Sequence, residues 1–144
     1  MSSNNKRLNK INSRSSFGFS LIELLVVVAI LGILSTIGVL AYNGYISGTK
    51  RKSAENLMHQ ISLAQHEEYS SYGTYFSNSE DCNKDTTEDI GTNLFGSAGY
   101  IDRDKIGYDF CALSSGSTFT IYADRINPPG CKMELDASGN FTKC

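Results

Sequence analysis

Phe19-Ser20-Leu21-Ile22-Glu23-Leu24-Leu25-Val26-Val27-Val28-Ala29-Ile30-Leu31-Gly32-Ile33-Leu34-Ser35-Thr36-Ile37-Gly38-Val39-Leu40-Ala41 is an apolar run with one charge in it. About 20 apolar residues span a bilayer, so the run reads as a membrane anchor. Its carboxylate, Glu23, resists that placement, at roughly 2.5–3.5 kcal/mol for an acid at a helix centre and less near an end. Either Glu23 has a partner inside the membrane, or it lies at the headgroup boundary near the positive end of the helix dipole. The preceding residues, Met1 to Gly18, contain Lys6, Arg7, Lys10 and Arg14 and no acid. A secretory signal would follow such charges with a shorter apolar stretch and a small-residue cleavage site beyond it. Here the run is too long, and Ala41-Tyr42-Asn43-Gly44-Tyr45 makes a poor exit. The chain therefore reads as anchored, with any processing on the charged side of the apolar helix.

Downstream, the pattern becomes amphipathic. Ala54, Leu57, Met58, Ile61, Ala64, Glu68 and Tyr72 recur at steps of three and four, with Leu57, Met58 and Ile61 the apolar centre of the stripe. Neither Gly nor Pro falls between Thr49 and Tyr72, which predicts one helix from Phe19 to Tyr72, about 80 Å long at 1.5 Å per residue. Its first half is apolar all round and its second half on one face only. Gly73 is placed to cap it. Residues Ser77 to Gly99, rich in Asp, Asn, Thr and Gly, read as a long loop tethered at Cys82. Strands are predicted at Ile106–Leu113, Thr118–Ala123 and Cys131–Asp136 with a return, as an antiparallel sheet. Its apolar face needs a cover, and the helical stripe supplies one. The fold class is α+β, a long N-terminal α-helix on a small antiparallel β-sheet.

Composition bounds the partners. The chain has 144 residues and a formal charge of −2, and losing the four basic leader residues takes it to about −6. A general nucleic-acid-binding surface would be basic, so that class is disfavoured. The positive-inside rule places residues 1–18 in the cytoplasm and the bulk outside, although Lys50-Arg51-Lys52 votes the other way. Cys82, Cys111, Cys131 and Cys144 then lie in an oxidising compartment, where an even count implies two disulfides with three connectivities. The turn signal Ala137-Ser138-Gly139 brings Cys131 and Cys144 nearly opposite each other and favours that pair, leaving Cys82–Cys111.

Gly18-Phe19-Ser20-Leu21-Ile22-Glu23-Leu24 resembles the prepilin signature of type IV pilins and type II secretion pseudopilins. Basic leader, Gly-Phe junction, acid five positions on and long apolar helix coincide, strongly from Arg14 through Tyr45 and more loosely beyond. The resemblance implies a pilin fold, with residues 1–18 a leader, 19–41 the membrane and filament-core helix, and 42–144 the periplasmic or extracellular domain. It implies cleavage between Gly18 and Phe19 by a prepilin peptidase, N-methylation of Phe19, and use of Glu23 in assembly. The physical reason is charge pairing: cleavage creates an α-amino group on Phe19, and a neighbouring copy's amine beside Glu23 would relieve an unpaired charge in lipid. Implied partners are further copies and other pilins in a helical filament, together with an inner-membrane assembly platform. The subunit waits in the inner membrane and ends in an extracellular filament serving adhesion, twitching motility or DNA uptake. Pilins commonly have proline where this chain has Leu40; Gly32, Ser35, Thr36 and Gly38 weaken the helix by smaller steps.

No catalytic, cofactor or metal constellation stands out. His59 and His66 share a helical face, but His66-Glu67-Glu68 lacks the second histidine of a zincin, and they read as surface residues. Glu80, Asp81, Asp85, Glu88 and Asp89 have no EF-hand spacing, although some pseudopilins hold calcium in a loop. Lys50-Arg51-Lys52 suits lipid headgroups, a neighbour's acidic surface or DNA, with a solvated helix turn as the default. No Gly-x-Ser-x-Gly occurs, and the chain reads as a substrate of processing enzymes, not an enzyme. The pilus reading is preferred over a pseudopilin because of the two disulfides, one reaching Cys144. A single-span periplasmic binding or enzymatic protein with an accidental Gly18-Phe19 junction is the remaining rival.

Overall fold

The computed structural model describes residues 18–144, leaving aside the Leu40 side chain; the leader bases Lys6, Arg7, Lys10 and Arg14 lie outside the described residues. Two units are distinguished, Met1–Ala41 and Tyr42–Cys144. Helix α1 runs Leu21–Tyr72, starting after Ser20 instead of at Phe19. It is unbroken at Gly32, Ser35, Thr36 and Gly38, where Ser35 Oγ donates to the Leu31 carbonyl and Thr36 Oγ1 to that of Ile33, both at 2.7 Å. At its far end Gly73 takes a φ of 75° and its N–H bonds the Tyr69 carbonyl at 2.8 Å, so the left-handed residue stops the helix.

Within Tyr42–Cys144 the second half of α1 covers a four-stranded antiparallel sheet ordered β1-β2-β3-β4. The strands are β1 Tyr108–Ser115, β2 Thr118–Arg125, β3 Lys132–Asp136 and β4 Phe141–Thr142. Register explains the core: Phe110, Ala123 and Met133 lie abreast, as do Ala112, Ile121 and Leu135, and all six are buried. A side-chain period of two puts both rows on one face. Ala54, Leu57, Met58 and Ile61 meet that face, as the stripe requires. Each fully buried aliphatic or aromatic side chain contributes about 1.5–3 kcal/mol, so these rows supply the main driving force for the fold.

The expected loop 77–99 is largely a helix, α2, Lys84–Phe95. Its start is fixed by a reciprocal box: Asn83 Oδ1 accepts from Thr86 N at 3.1 Å, and Thr86 Oγ1 accepts from Asn83 N at 2.9 Å. Gly96, at φ 76°, ends it. Polar composition pointed to a loop, but the caps and the buried Ile90 hold a helix with a narrow packed face. A 3-10 turn, Ala98–Tyr100, and a single helical turn, α3 at Arg103–Ile106, lead into β1.

Segment 77–95 closes the free edge of β1. Thr87 Oγ1 accepts from Phe110 N at 2.8 Å, and Thr86 Oγ1 donates to Phe110 O at 2.9 Å. Asn78 bonds both backbone groups of Ala112, at 2.8 and 3.0 Å, and Ser77 Oγ accepts from Ser114 N at 3.1 Å. The disulfide Cys82–Cys111 fastens the same seam, and Cys131–Cys144 ties the start of β3 to the segment after β4. An unpaired edge is thereby satisfied mostly by side chains.

Candidate functional site

Ser20 and Glu23 build the start of α1 between them. Ser20 N–H donates to Glu23 Oε2 at 2.8 Å, and Glu23 N–H reaches Ser20 Oγ at 3.4 Å. Helix N-termini leave unpaired N–H groups, and a Ser-x-x-Glu box satisfies two of them reciprocally. The carboxylate therefore has a local partner before any neighbouring chain is considered. That box was readable as Ser20-x-x-Glu23 and was missed, because the acid drew attention as a charge in lipid and not as a cap.

Gly18 and Phe19 precede the helix and are exposed to solvent; a Cβ on Gly18 would meet no atom within 4 Å. From Leu21 to Val39 the large apolar side chains are exposed, Leu31, Ile33 and Ile37 at 57 to 65 %. Bare Leu, Ile and Val over this length are untenable in water, and α1 is long and apolar enough to cross a membrane. The arrangement is an exposed Gly18-Phe19 pair, a capped acid one turn inside the helix, and an apolar rod whose large side chains are exposed.

A family model described as the prokaryotic N-terminal methylation motif matches residues 13–39. These residues carry the type IV pilin signature. The long N-terminal helix and the antiparallel sheet fit it. Neither a curated protein nor a solved structure matches the chain. The pilin signature covers the junction Gly18-Phe19, the acid Glu23 and the apolar run together, and it accords with a membrane-anchored subunit of the pilin or pseudopilin kind.

The other sequence candidates are dispersed in the unit Tyr42–Cys144. His59 stacks on Phe141 at 6.0 Å between centroids, and His66 meets the Phe119 ring edge-on at 5.4 Å. Both histidines are exposed. Asp85, Glu88 and Asp89 sit on α2, with Glu88 3.6 Å from Lys84. Among the described residues no three His, Cys, Asp or Glu side chains converge as a metal group.

Sequence reasoning also missed three buried polar side chains. Gln65 is fully buried, accepting from Phe76 N and donating to Phe76 O, each at 2.8 Å. Asp109 takes the Arg103 guanidinium in a two-pronged pair, at 2.5 and 2.9 Å; that hydrogen bond raises the Arg103 pKa. Glu55 meets Lys52 at 2.8 Å and Lys143 at 3.1 Å, and the Lys52 bond, helped by Lys143, lowers its pKa against the effect of burial. The only signal for Gln65 was its place in the apolar stripe, one turn beyond Ile61.

Proposed function

We propose that this chain is a structural subunit of a type IV pilus, processed at Gly18-Phe19 and polymerised through the apolar half of α1. The observation that carries the reading is the methylation motif at residues 13–39, coinciding with an apolar helix whose side chains have no cover. Sister helices would bury those Leu, Ile and Val side chains, at about 25 cal/mol per Å2. Glu23 is positioned to exchange its Ser20 N–H for the Phe19 amine of a neighbour. A charge-assisted bond of that kind is about twice as strong as a neutral one. Adhesion, motility or DNA uptake would be exercised by the assembled filament.

A type II secretion pseudopilin is the second reading, since the signature serves both. The two disulfides favour the pilus branch. Intact mass and N-terminal sequencing of sheared surface material separate the readings. The pilus expectation is abundant surface protein starting at N-methylated Phe19 with both disulfides. Processed protein absent from the surface would point to the pseudopilin. An unprocessed chain starting at Met1 and monomeric in the membrane would refute both. Glu23→Ala should leave cleavage intact and abolish filaments; normal filament yield would remove Glu23 from the mechanism.

A further inference from the structure

Within Tyr42–Cys144, a recess of about 470 Å3 has Gly44, Ser47, Gly48, Arg51, Tyr108 and Arg125 in its wall, completed by Gly130 and the Cys131–Cys144 disulfide. Its two arginines hold charge that the protein meets only in part. Arg51 Nε is 3.9 Å from Glu55 Oε1, but that carboxylate is already met more closely by Lys52 and Lys143. Arg125 Nε donates to the Pro128 carbonyl at 2.7 Å, which aims the guanidinium, and among the described residues no carboxylate lies within ion-pair distance of it. Burial raises the pKa of the Tyr108 hydroxyl, Arg125 and Arg51 oppose that rise while Glu55 adds to it, and both arginines line the recess. Lys50 and Arg125 share the wall of an adjoining smaller hollow with Asn43 and Asn127.

Room is left as well as charge. A Cβ added at Gly44, Gly48 or Gly130 would meet no atom within 4 Å. Residues 44–51 follow the apolar run by only a few positions, and Tyr42 and Tyr45, at the start of this stretch, are 63 and 70 % exposed. Exposed tyrosines followed by basic residues mark the headgroup level of a membrane protein. The orientation rule disfavours Lys50-Arg51-Lys52 on the exported side, and a ligand there gives those charges a purpose.

We infer that the Arg51–Arg125 recess binds the phosphate headgroup of an anionic phospholipid while the subunit waits in the membrane. Planar guanidinium groups pair with phosphate oxygens in two-pronged fashion, and a net negative headgroup matches the surplus charge. The inference rests on residues 19–41 being a membrane anchor and is independent of pilus or pseudopilus membership.

The test uses the full chain in nanodiscs containing phosphatidylglycerol and phosphatidylcholine in equal amounts, with lipid retained on the released protein read by native mass spectrometry. Phosphatidylglycerol should be retained preferentially, and Arg51→Gln with Arg125→Gln should lower its retention about tenfold. Gly48→Leu, which fills the recess and leaves every charge in place, should lower it comparably. Lys84→Gln, an equal charge change on α2, should leave it unchanged. Equal retention of both lipids, or unaltered retention in Gly48→Leu, would overturn the inference. Inorganic phosphate that displaces the lipid at low millimolar concentration would assign the recess to a free anion and also overturn it. A chain that fails to enter nanodiscs at all would refute the anchor itself, an outcome distinct from insertion without lipid preference.

Discussion

Replacing Gln65 tests how the end of the helical spine is joined to the rest of the domain. Its side-chain amide is fully buried in the α1 stripe and holds both backbone groups of Phe76, across the turn made by Gly73. Gln65→Ala removes two hydrogen bonds worth about 0.5–1.5 kcal/mol each and one buried methylene worth about 0.8 kcal/mol. The expected loss is about 2–4 kcal/mol, or roughly 10–25 °C in Tm for a domain of about 100 residues. Urea unfolding of the full chain in mild detergent, followed by near-ultraviolet dichroism, gives the value. Amide exchange at Phe76 gives the location.

Gln65→Glu sharpens the test. The carboxylate still accepts from Phe76 N but repels Phe76 O, and only the protonated acid restores the donor. Its folded-state pKa must therefore rise above the unfolded value near 4.3. The stability of this variant is then fully present below that unfolded value and is lost as pH rises through the folded one. Relative to the parent at each pH, Gln65→Glu should match it near pH 4 and fall behind at pH 7. A shift below about 0.5 kcal/mol for Gln65→Ala, with Phe76 exchange unchanged, would refute the assigned role.

Other outcomes follow from single contacts. Lys143→Met should flatten the acid sensitivity of unfolding. Glu55 has its pKa lowered first by Lys52 and then by Lys143, so its stabilisation is present above its ordinary value of 4.5 and is lost as pH falls through the depressed one. Urea midpoints at pH 7 and pH 3.5 measure the difference. Gly91→Ala should cost about 1–3 kcal/mol, because its Cβ would lie 2.6 Å from the Ser97 carbonyl oxygen; the thermal midpoint reports it. Cys131→Ser with Cys144→Ser opens a link across 13 residues and should cost about 3 kcal/mol in denaturant unfolding, while leaving the helical dichroism of α1 intact.

Periodicity carried most of the fold into the sequence. Ala54, Leu57, Met58 and Ile61 formed a helical stripe, and Phe119 and Ile121 an alternating strand, because burial of one face imposes those spacings. The α2 helix was hidden because its stability comes from caps and threonines bonded to β1, which leave almost no apolar period in Lys84–Phe95. At the signature, Gly18, Phe19 and Glu23 were legible as an ordered motif, and they fall within residues 13–39, which match the methylation-motif model. The Ser20–Glu23 box obeys a short local rule that needed no tertiary information. The arginine recess was beyond reach, since Arg51 and Arg125 meet only after β1 and β2 pair and dock on α1.

The sealed margin of β1 has a consequence for life at high density. Molecules crowded in a bilayer, all alike and all aligned, are well placed to knit together through open backbone ladders. Here Asn78, Ser77 and the paired threonines already occupy those hydrogen-bonding positions, and the opposite margin, Phe141–Thr142, is only two residues long. Neither margin of the sheet therefore offers a long open ladder to a second copy, which disfavours fusion of neighbouring domains edge to edge.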